Sequence, residues 1–271
     1  MNMLNPLGFS TASKVTRQPK SFNVLLLGET CEDQYVYGKI ERLNPESSAP
    51  VLRYVRREVR QGMSANVLEN LKSFGINVIH KTNVEKIVKT RYVDERYNQH
   101  LLRMDIEDKV TPFLNVLPPQ TFDAIVISDY DKGFLTFDKI LQITETYTCP
   151  IFIDSKKKVL PDRDECFVKI NLREYQRLQV KIDNLIVTLG EQGAIYKGDR
   201  YPTDKVSVSD LVGAGDTFLA ALTHEYLYTK DISRAIMVAN KAAAIAVQHP
   251  GTYVLQQEDV DYLNNLTLQV Q

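Results

Sequence analysis

The sequence has few of the features that mark a disulfide-bonded, zinc-binding or nucleic-acid-binding protein. Its 271 residues include three cysteines that lie far apart, with no C-x-x-C spacing, which excludes a disulfide framework and indicates reduced thiols of a cytoplasmic protein. The four histidines are scattered, so they predict no metal cluster. Basic and acidic residues nearly balance, at a net charge of −1, and no nucleic-acid surface is expected.

Long apolar runs are also missing. The run NVLLLG, residues 23–28, is far too short to span a bilayer, and no signal peptide or transmembrane segment is visible. We therefore expect no membrane partner and a cytoplasmic location. Residues 1–20 are polar and mixed, which predicts a mobile leader or an added edge element. Residues 21–271 are long enough for one α/β domain with a substantial core.

Short apolar runs and helical patterns alternate along the chain. Alternation of this kind predicts a mostly parallel sheet with helices on both faces. The predicted strands lie at 22–30, 122–130, 149–157 and 165–171, with a strand–turn–strand at 184–199. The predicted helices lie at 64–75, where Gly75 is expected to end the helix, and at 136–147, 216–228 and 233–248.

Two segments break this rhythm. Residues 34–61 and 88–108 alternate polar and apolar positions and are rich in Tyr, Val and Arg, which is typical of exposed strands. Together they predict a small sheet that projects from the main one. A sheet that is apolar on one face must cover that face, so a substrate or a second subunit is expected against it.

The stretch SDLVGAGDTFLAAL, residues 209–222, joins two glycines to an aspartate at the start of a helical pattern. Glycine lets backbone amides approach a ligand closely, and a helix N-terminus favours negative charge. The chain has no Walker A loop, and Phe218 stands where a dinucleotide fingerprint needs glycine or alanine. The turn predicts either a tight junction with Asp216 stabilising the helix dipole, or a phosphate site. In the second case the amides of 212–215 would stabilise a transferring phosphoryl group and Asp216 would act as base.

This stretch resembles the C-terminal signature of the ribokinase-like (PfkB) sugar kinases, D-T-x-G-A-G-D. Five further motifs agree in the same order between about residue 23 and residue 259. They are similar to motifs of the heptose-phosphate kinases, the kinase half of the bifunctional heptose kinase/adenylyltransferase. The matching stretches are LLLGETCEDQYVYGKIERLNPESSAPV, RQGMSANVLENLKSFG, ISDYDKGFL, IDSKKK and INLREYQ. The resemblance implies a ribokinase-like three-layer α/β fold with a small projecting β lid.

The resemblance also implies a sugar site between the main sheet and the lid. Asp33 corresponds to the acid that binds sugar hydroxyls, and Gly62 and Asn66 to the sugar-facing start of a helix. Arg91 and Arg103 lie on the second lid segment, where arginine suits a phosphate already on the substrate. From the residues alone, Asp33 could be a turn residue, Asn66 a solvated helical residue, and the arginines a solvated strand face. Three further family matches, expected to contact the sugar or a partner lid, are Arg42, Asn44 and Glu46.

On the nucleotide side, Asn171 and Glu174 match the family's N-x-x-E element. The resemblance places this element near the ATP phosphates, with Glu174 organising Mg²⁺ through water. Lys156 could approach a phosphate or belong to a solvated lysine run, and Asn240 could instead be a core polar residue. The other nucleotide-contacting positions that the resemblance implies are Thr188, Gly190, Gly193, Asn240 and Gly251.

The chain departs from the family pattern in three ways. Met63 replaces the second glycine of the substrate motif, so it is strained or blocks room if that position has a positive φ. Leu211 replaces a hydroxyl residue before the Gly-Ala-Gly turn. The segments between His80 and Lys89 and between Gln176 and Ile182 are shorter than in the family.

The resemblance implies ATP- and Mg²⁺-dependent phosphoryl transfer to a sugar phosphate, with D-glycero-D-manno-heptose 7-phosphate giving the 1,7-bisphosphate. In that mechanism Asp216 takes the proton of the anomeric hydroxyl, and the amides at Gly213, Ala214 and Gly215 stabilise the transferring group. A requirement for a monovalent cation stays open. Two alternatives remain: a kinase for another sugar or a nucleoside, and a pseudokinase that binds nucleotide or sugar phosphate. The exposed lid predicts a homodimer.

Overall fold

The computed structural model describes residues 20–117 and 120–266, so the predicted leader, apart from Lys20, lies outside the described residues. The strands, in chain order, are β1 Asn23–Gly28, β2 Thr30–Leu43, β3 Pro50–Met63, β4 Asn77–Lys81, β5 Ile87–Asp94, β6 Gln99–Glu107, β7 Ala124–Asp129, β8 Ile151–Ser155, β9 Cys166–Asn171, β10 Leu185–Thr188, β11 Ala194–Tyr196 and β12 Asp199–Tyr201. The helices are α1 Ser64–Ser73, α2 Phe137–Thr146, α3 Leu172–Tyr175, α4 Ala214–Thr229, α5 Ile232–Ala246 and α6 Gln257–Leu266, with a 3₁₀ turn at Gly190–Gln192.

The main sheet has eight strands in the order β12-β11-β10-β9-β8-β7-β1-β4. In this order, the six neighbouring strands β10, β9, β8, β7, β1 and β4 pair in parallel. Strands β11 and β12 pair antiparallel at the edge beside β10. The predicted mostly parallel sheet is confirmed. Because parallel strands end on the same edge, the residues after β7, β8 and β9 come together there.

Alternate residues of the buried strands pack into two cores. On β1, Val24 and Leu26 face the helices α1, α4 and α5, whereas Leu25 and Leu27 face the side covered by α2. All four side chains are fully buried. This two-sided burial explains why the strand reads as a continuous apolar run rather than an alternating one.

The lid is a second sheet of four strands in the order β3-β2-β5-β6. The two segments predicted to project pair through β2 and β5 in parallel, and each forms an antiparallel hairpin. The lid begins earlier than predicted, because β2 starts at Thr30, two residues after β1 ends. Side chains that alternate along these strands face either the main sheet or the outside.

The predicted helices are confirmed with small shifts at their ends. Gly75 lies just beyond α1 with a φ of 76°, a conformation that favours glycine, as the predicted helix end requires. Helix α4 starts at Ala214, two residues before the predicted start. The pattern did not reveal α3, α6 or the edge strand β4. Over the described ranges, no helix is both long and apolar enough to cross a membrane.

Candidate active site

A cavity of about 340 Å³ lies between the lid and the carboxyl edge of the main sheet. The lid side supplies side chains from β2, β5 and β6, and the other side is formed by residues that follow β7 and β8 and by the start of α4. The cationic side chains in its lining are Lys89, Arg91, Arg103, Lys132 and Lys156. The acidic ones are Asp33, Asp105, Glu107 and Asp216. Such a wall suits a phosphorylated ligand that also offers hydroxyl groups.

Asp216 lies in the first turn of α4 and lines this cavity, although only 2% of its surface is exposed. The hydroxyl of Tyr130 donates to its Oδ1 at 2.9 Å, and Nδ2 of Asn66 donates to its Oδ2 at 3.1 Å. Burial raises the pKa of the Asp216 carboxyl to about 6, while these two hydrogen bonds act in the opposite direction. A carboxyl with such a pKa is suited to accept a proton near neutral pH.

The glycines before Asp216 form the turn into α4. Gly213 has a φ of 81°, and a Cβ on it would lie 2.7 Å from Nδ2 of Asn66. A Cβ on Gly215 would lie 2.8 Å from Nζ of Lys169. Both glycines therefore let the start of the helix approach neighbouring side chains closely. The amide of Ala214 donates to the carbonyl oxygen of Leu211 at 3.4 Å and that of Thr217 to Gly213 at 3.0 Å. The start of a helix in general has amides without helical partners, which is the arrangement that binds an anion.

Asn66 is not the solvated helical residue that the sequence allowed. It is 1% exposed, and its amide group contacts Asp216 and, at 3.4 Å, the carbonyl oxygen of Gly213. Asn70 in turn donates to its side-chain oxygen at 3.2 Å. The structure thus places Asn66 beside the predicted base, which it orients.

Asp33 and Arg91 form a buried ion pair between the lid strands β2 and β5. Both residues are less than a tenth exposed, so the alternative of a solvated strand face is wrong for Arg91. Gly62 is required here because a Cβ would collide with the carboxylate of Asp33. Burial lowers the pKa of Arg91, and the neighbouring carboxylate of Asp33 raises it. The net shift of the pKa is upward, so the guanidinium keeps its charge.

Arg103 is exposed at the cavity wall and pairs with Asp105 through Nε and Oδ1 at 2.9 Å. Lys132 pairs with Glu107 at 2.7 Å on the same side. Lys89, two residues before Arg91 on the same face of β5, lies 5.2 Å from the ring centre of Tyr130. The period of a strand could have revealed Lys89, because the sequence already pointed to Arg91.

The N-x-x-E element forms the start of the short helix α3. The side chain of Asn171 accepts from the amide of Glu174, and Glu174 accepts from the amide of Asn171. The other oxygen of Glu174 accepts from Lys156 at 2.8 Å, which joins two of the predicted nucleotide-side residues. Lys156 also lies 4.5 Å from the ring centre of Tyr130 and lines the cavity.

The donor set on this side fits Mg²⁺. Glu174 offers a carboxylate near the cavity, and Mg²⁺ keeps most of its waters, so one such group suffices. In the described part of the chain, no group of three or more His, Cys, Asp or Glu is arranged to hold a metal ion.

Lys169 and Asp154 form a buried ion pair that the sequence analysis did not single out. Nζ of Lys169 lies 2.6 Å from Oδ2 of Asp154 and 3.3 Å from the carbonyl oxygen of Gly215. The pair supports the glycine turn from below. A lysine inside the apolar run CFVKIN, two residues before the N-x-x-E element, was the available signal.

The remaining nucleotide-side residues occupy turns and a helix outside this cavity lining. Thr188 ends β10, Gly190 begins the 3₁₀ turn and Gly193 follows it, with φ values of 61° and 82° for the two glycines. Asn240 is buried, and its Nδ2 donates to the carbonyl oxygen of Tyr201 at 2.8 Å, as the core-polar alternative requires. A nucleotide contact of Thr188, Gly190, Gly193 or Asn240 stays a prediction.

Gly251 lies where the lid meets the main sheet. Its amide donates to Asp210 at 3.0 Å, and a Cβ on it would lie 2.8 Å from Nη1 of Arg60. That guanidinium donates to the carbonyl oxygens of Pro250 and Thr252. The contacts tie strand β3 of the lid to the loop beside the glycine turn. By contrast, Arg42, Asn44 and Glu46 lie at the exposed β2–β3 turn, outside the cavity lining.

Comparison with known proteins agrees with this geometry. Residues 172–259, which include Glu174 and the glycine turn, match the family described as pfkB family carbohydrate kinase. Curated relatives of this chain include the Bifunctional protein HldE of Nitratiruptor sp., 28% identical over 88% of the chain, and that of Helicobacter pylori strain J99, 29% identical over 90%. The alignments cover 64% and 66% of those proteins, so this chain spans less than two thirds of their length.

Solved structures show the fold of this chain. The ribokinase of Thermotoga maritima superposes with a TM-score of 0.64 at 16% identity and covers 89% of this chain and 99% of its own. Phosphofructokinase-2 of Escherichia coli, in complex with potassium, gives a TM-score of 0.67 at 14% identity over 90% of this chain and 99% of its own. The ribokinase-like three-layer fold with a β lid is confirmed.

Proposed function

We propose that this chain transfers the γ-phosphoryl group of ATP to the anomeric hydroxyl of D-glycero-D-manno-heptose 7-phosphate, giving the 1,7-bisphosphate. The observation that carries the proposal is the carboxylate of Asp216, which lines the cavity at the start of α4 beside the glycine turn. A base next to a set of helix-start amides is what phosphoryl transfer to a hydroxyl requires. The heptose relatives at 28% to 29% identity support this choice of sugar.

The chain's own residues supply the steps. Asp216 accepts the proton of the sugar hydroxyl. The oxygen of that hydroxyl attacks the γ-phosphorus of ATP, and the bond between the γ-phosphorus and the oxygen of the leaving ADP breaks. The amides of the turn at Gly213, Ala214 and Gly215 face the charge that develops on the transferring group. Asp33 binds sugar hydroxyls, and its pairing with Arg91 orients its carboxylate. A Mg²⁺ ion bound with ATP would neutralise phosphate charge, and Glu174 is the residue that would hold it through water.

The phosphate already on the sugar needs cations at the cavity wall. Arg103 and Lys89 suit this role, since both line the cavity and neither is buried. Arg91 contributes charge, but its guanidinium already contacts Asp33. We therefore expect Arg103 and Lys89 to bind the 7-phosphate and Arg91 to act mainly through Asp33. The nucleotide lies on Lys156, Asn171, Glu174, Thr188, Gly190, Gly193, Asn240 and Gly251 in this proposal.

We also propose a homodimer through the outer face of the lid. That face carries a groove of about 380 Å³ lined mainly by β-branched and other apolar side chains, among them Val36, Val88, Met104 and Ile106. Met104 and Ile106 are 43% and 51% exposed. Large apolar side chains exposed side by side on one sheet face mark a surface for protein contact. A second copy of the same lid offers a matching apolar surface through two-fold symmetry.

The test is release of ADP from Mg-ATP with and without the heptose 7-phosphate, in the wild type, Asp216→Asn and Asp183→Asn. Asp183 is an exposed aspartate paired with Lys181, so it controls for loss of a carboxylate. We expect turnover that needs the heptose phosphate, falls about 10²- to 10⁴-fold in Asp216→Asn and is unchanged in Asp183→Asn.

Other outcomes point elsewhere. Turnover with ribose, a nucleoside or fructose 6-phosphate, but not with the heptose phosphate, would keep the mechanism and change the substrate. These sugars are worth testing because the side chain of Met63 lines the cavity where the family has glycine, which changes the room for the sugar. ATP binding without turnover of any of them would contradict a kinase and leave a nucleotide-binding pseudokinase.

A further inference from the structure

Both oxygens of the Asp216 carboxylate are held by side chains from distant parts of the chain. Tyr130, 86 residues away, donates to Oδ1 at 2.9 Å, and Asn66, 150 residues away, donates to Oδ2 at 3.1 Å. Two donors on opposite oxygens fix the plane of a carboxylate, because rotating it would break both contacts. Asn66 belongs to a motif already assigned to the sugar site, but Tyr130 had no assigned role.

The ring of Tyr130 is itself held in place by two cations. Nζ of Lys156 lies 4.5 Å from the ring centre and Nζ of Lys89 lies 5.2 Å from it. Cations near an aromatic face are attracted to it, and more strongly where water is excluded. The tyrosine thus lies between a nucleotide-side lysine and a lid lysine, with its hydroxyl on the base and its side chain in the cavity lining.

The loop that carries Tyr130 is anchored from beneath by Glu29. This fully buried carboxylate follows β1 and accepts backbone hydrogen bonds from Tyr130 at 2.8 Å, Lys132 at 3.0 Å and Phe134 at 3.2 Å. A carboxylate that accepts several amide hydrogen bonds is a strong anchor. The position of the tyrosine is therefore set by the fold rather than by chance contact of a surface side chain.

We infer that Tyr130 is a positioning residue for the base, and that its hydroxyl orients Asp216 and favours the ionised carboxylate that accepts the substrate proton. This inference rests on the proposed function. The proton moves from the sugar hydroxyl to Asp216, and Tyr130 keeps its own. Burial raises the pKa of Tyr130 well above its usual range, so the hydroxyl remains a donor across the working pH.

Removing the hydroxyl leaves Asp216 with fewer groups that stabilise its charge. The other titratable or charged groups that act on Asp216 from the packed elements are Cys31, Asp154, Lys156 and Lys169. None of these changes in Tyr130→Phe, so its effect on the protonation of Asp216 is isolated. A hydrogen bond to a charged group corresponds to about one pH unit in the carboxyl titration.

The test is the pH profile of kcat/KM in Tyr130→Phe beside Tyr226→Phe. Tyr226 is a buried tyrosine of α4 whose hydroxyl donates to Glu165 at 3.3 Å, so it is a matched control outside the site. We expect the acid limb of Tyr130→Phe to move up by about one pH unit, which is an about tenfold loss below both midpoints. The Tyr226→Phe profile is expected to match the wild type. An acid limb that stays in place in Tyr130→Phe would overturn the inference.

A second readout does not depend on turnover. The ¹³C resonance of the Asp216 carboxyl, assigned by its loss in Asp216→Asn, is titrated in the wild type and in Tyr130→Phe. A higher midpoint in the variant supports the inference, and equal midpoints refute it, even if no sugar phosphate is a substrate and the proposed function fails. If Tyr130→Phe does not fold, tyrosine labelled at ¹³Cζ in the wild type decides instead. The Tyr130 signal should then titrate with the midpoint of Asp216, and a signal that does not respond contradicts the contact.

Discussion

Met63 holds a backbone conformation that few side chains tolerate. It precedes α1 with φ 58° and ψ −135°, and it is 2% exposed. The strain expected if this position had a positive φ is confirmed. Non-glycine residues in such regions cost of the order of 1–3 kcal/mol. The side chain is retained against that cost at the wall of the cavity.

The strain predicts that two substitutions at Met63 differ in stability in the opposite sense from an ordinary site. Both Met63→Ala and Met63→Gly lose the buried side chain, but only glycine adopts the positive φ freely. At an ordinary site glycine is less stable than alanine by about 0.4–1 kcal/mol. Here we expect Met63→Gly to be the more stable by about 1 kcal/mol, measured by urea unfolding. Equal stabilities, or alanine the more stable, would show that the backbone is not strained.

Because the charged carboxyl of Asp216 is buried, we predict that removing its charge makes the folded protein more stable. Its pKa of about 6 means that the folded state binds a proton more tightly than the unfolded state, whose carboxyl titrates near 3.8. The ionised carboxylate therefore costs stability at pH 8, of the order of 1–3 kcal/mol. We expect Asp216→Asn to be more stable than the wild type at pH 8 by about that amount.

The sign of the pH dependence provides the check. As pH falls from about 7 to 4, the folded wild type takes up its proton first, so its stability rises relative to the variant and the difference narrows. Asp183→Asn, at an exposed aspartate, should show no such gain. A destabilised Asp216→Asn at pH 8 would mean that the hydrogen bonds of the carboxylate outweigh the cost of its burial.

At the scale of elements, the loop after β7 depends on the end of β1. Glu29 follows β1 directly and accepts the amides of residues 130, 132 and 134. Asp131 and Gly133 in that loop have φ values of 56° and 106°. The backbone of the loop is therefore neither helical nor extended at these two residues. The Glu29 carboxylate, which accepts three of the loop's amides, helps to hold this conformation.

We predict that Glu29→Gln loosens this loop. Glutamine keeps the volume but offers one acceptor oxygen in place of two, and its NH₂ group faces amide donors. Loss of charge-assisted hydrogen bonds is expected to cost about 1.5–3 kcal/mol. Hydrogen exchange should accelerate at the amides of Tyr130, Lys132 and Phe134. The control is Glu69→Gln, an exposed pair with Lys72, for which less than about 0.5 kcal/mol is expected. Unchanged exchange in Glu29→Gln would contradict the anchor.

The whole molecule consists of a buried sheet and a lid with one face turned outward. Charge introduced into the apolar groove of the outer lid face should prevent two lids from packing, because a buried unpaired carboxylate is costly. We predict that the wild type sediments as a dimer and Ile106→Glu as a monomer, in sedimentation velocity. Val84→Glu, at a residue that is 95% exposed, is expected to leave the dimer intact. A monomeric wild type, or a dimeric Ile106→Glu, would refute the lid interface.

Local pattern was enough for much of the architecture. The continuous apolar run of β1, the helical spacing of α1 with Gly75 behind it, and the alternation of the lid strands each depend on neighbouring residues, so the sequence shows them directly. The same is true of the turn before Asp216, where two glycines and an acid stand at a helix start. Edge strand β4 and helix α6 were not predicted. No residue of β4 is fully buried, and in α6 the buried residues are Val260 and Leu263, so neither contains a long apolar run.

By itself, the sequence determined the fold class, the lid, the turn at Gly213 and the identity of the candidate base. Only the tertiary structure decided what surrounds that base. The partners of Asp216 are 86 and 150 residues away, and the ion pair of Asp33 with Arg91 joins strands of different hairpins. Secondary structure follows from contacts over a few residues, whereas a carboxylate's charge state and orientation follow from burial and from donors that only folding brings together.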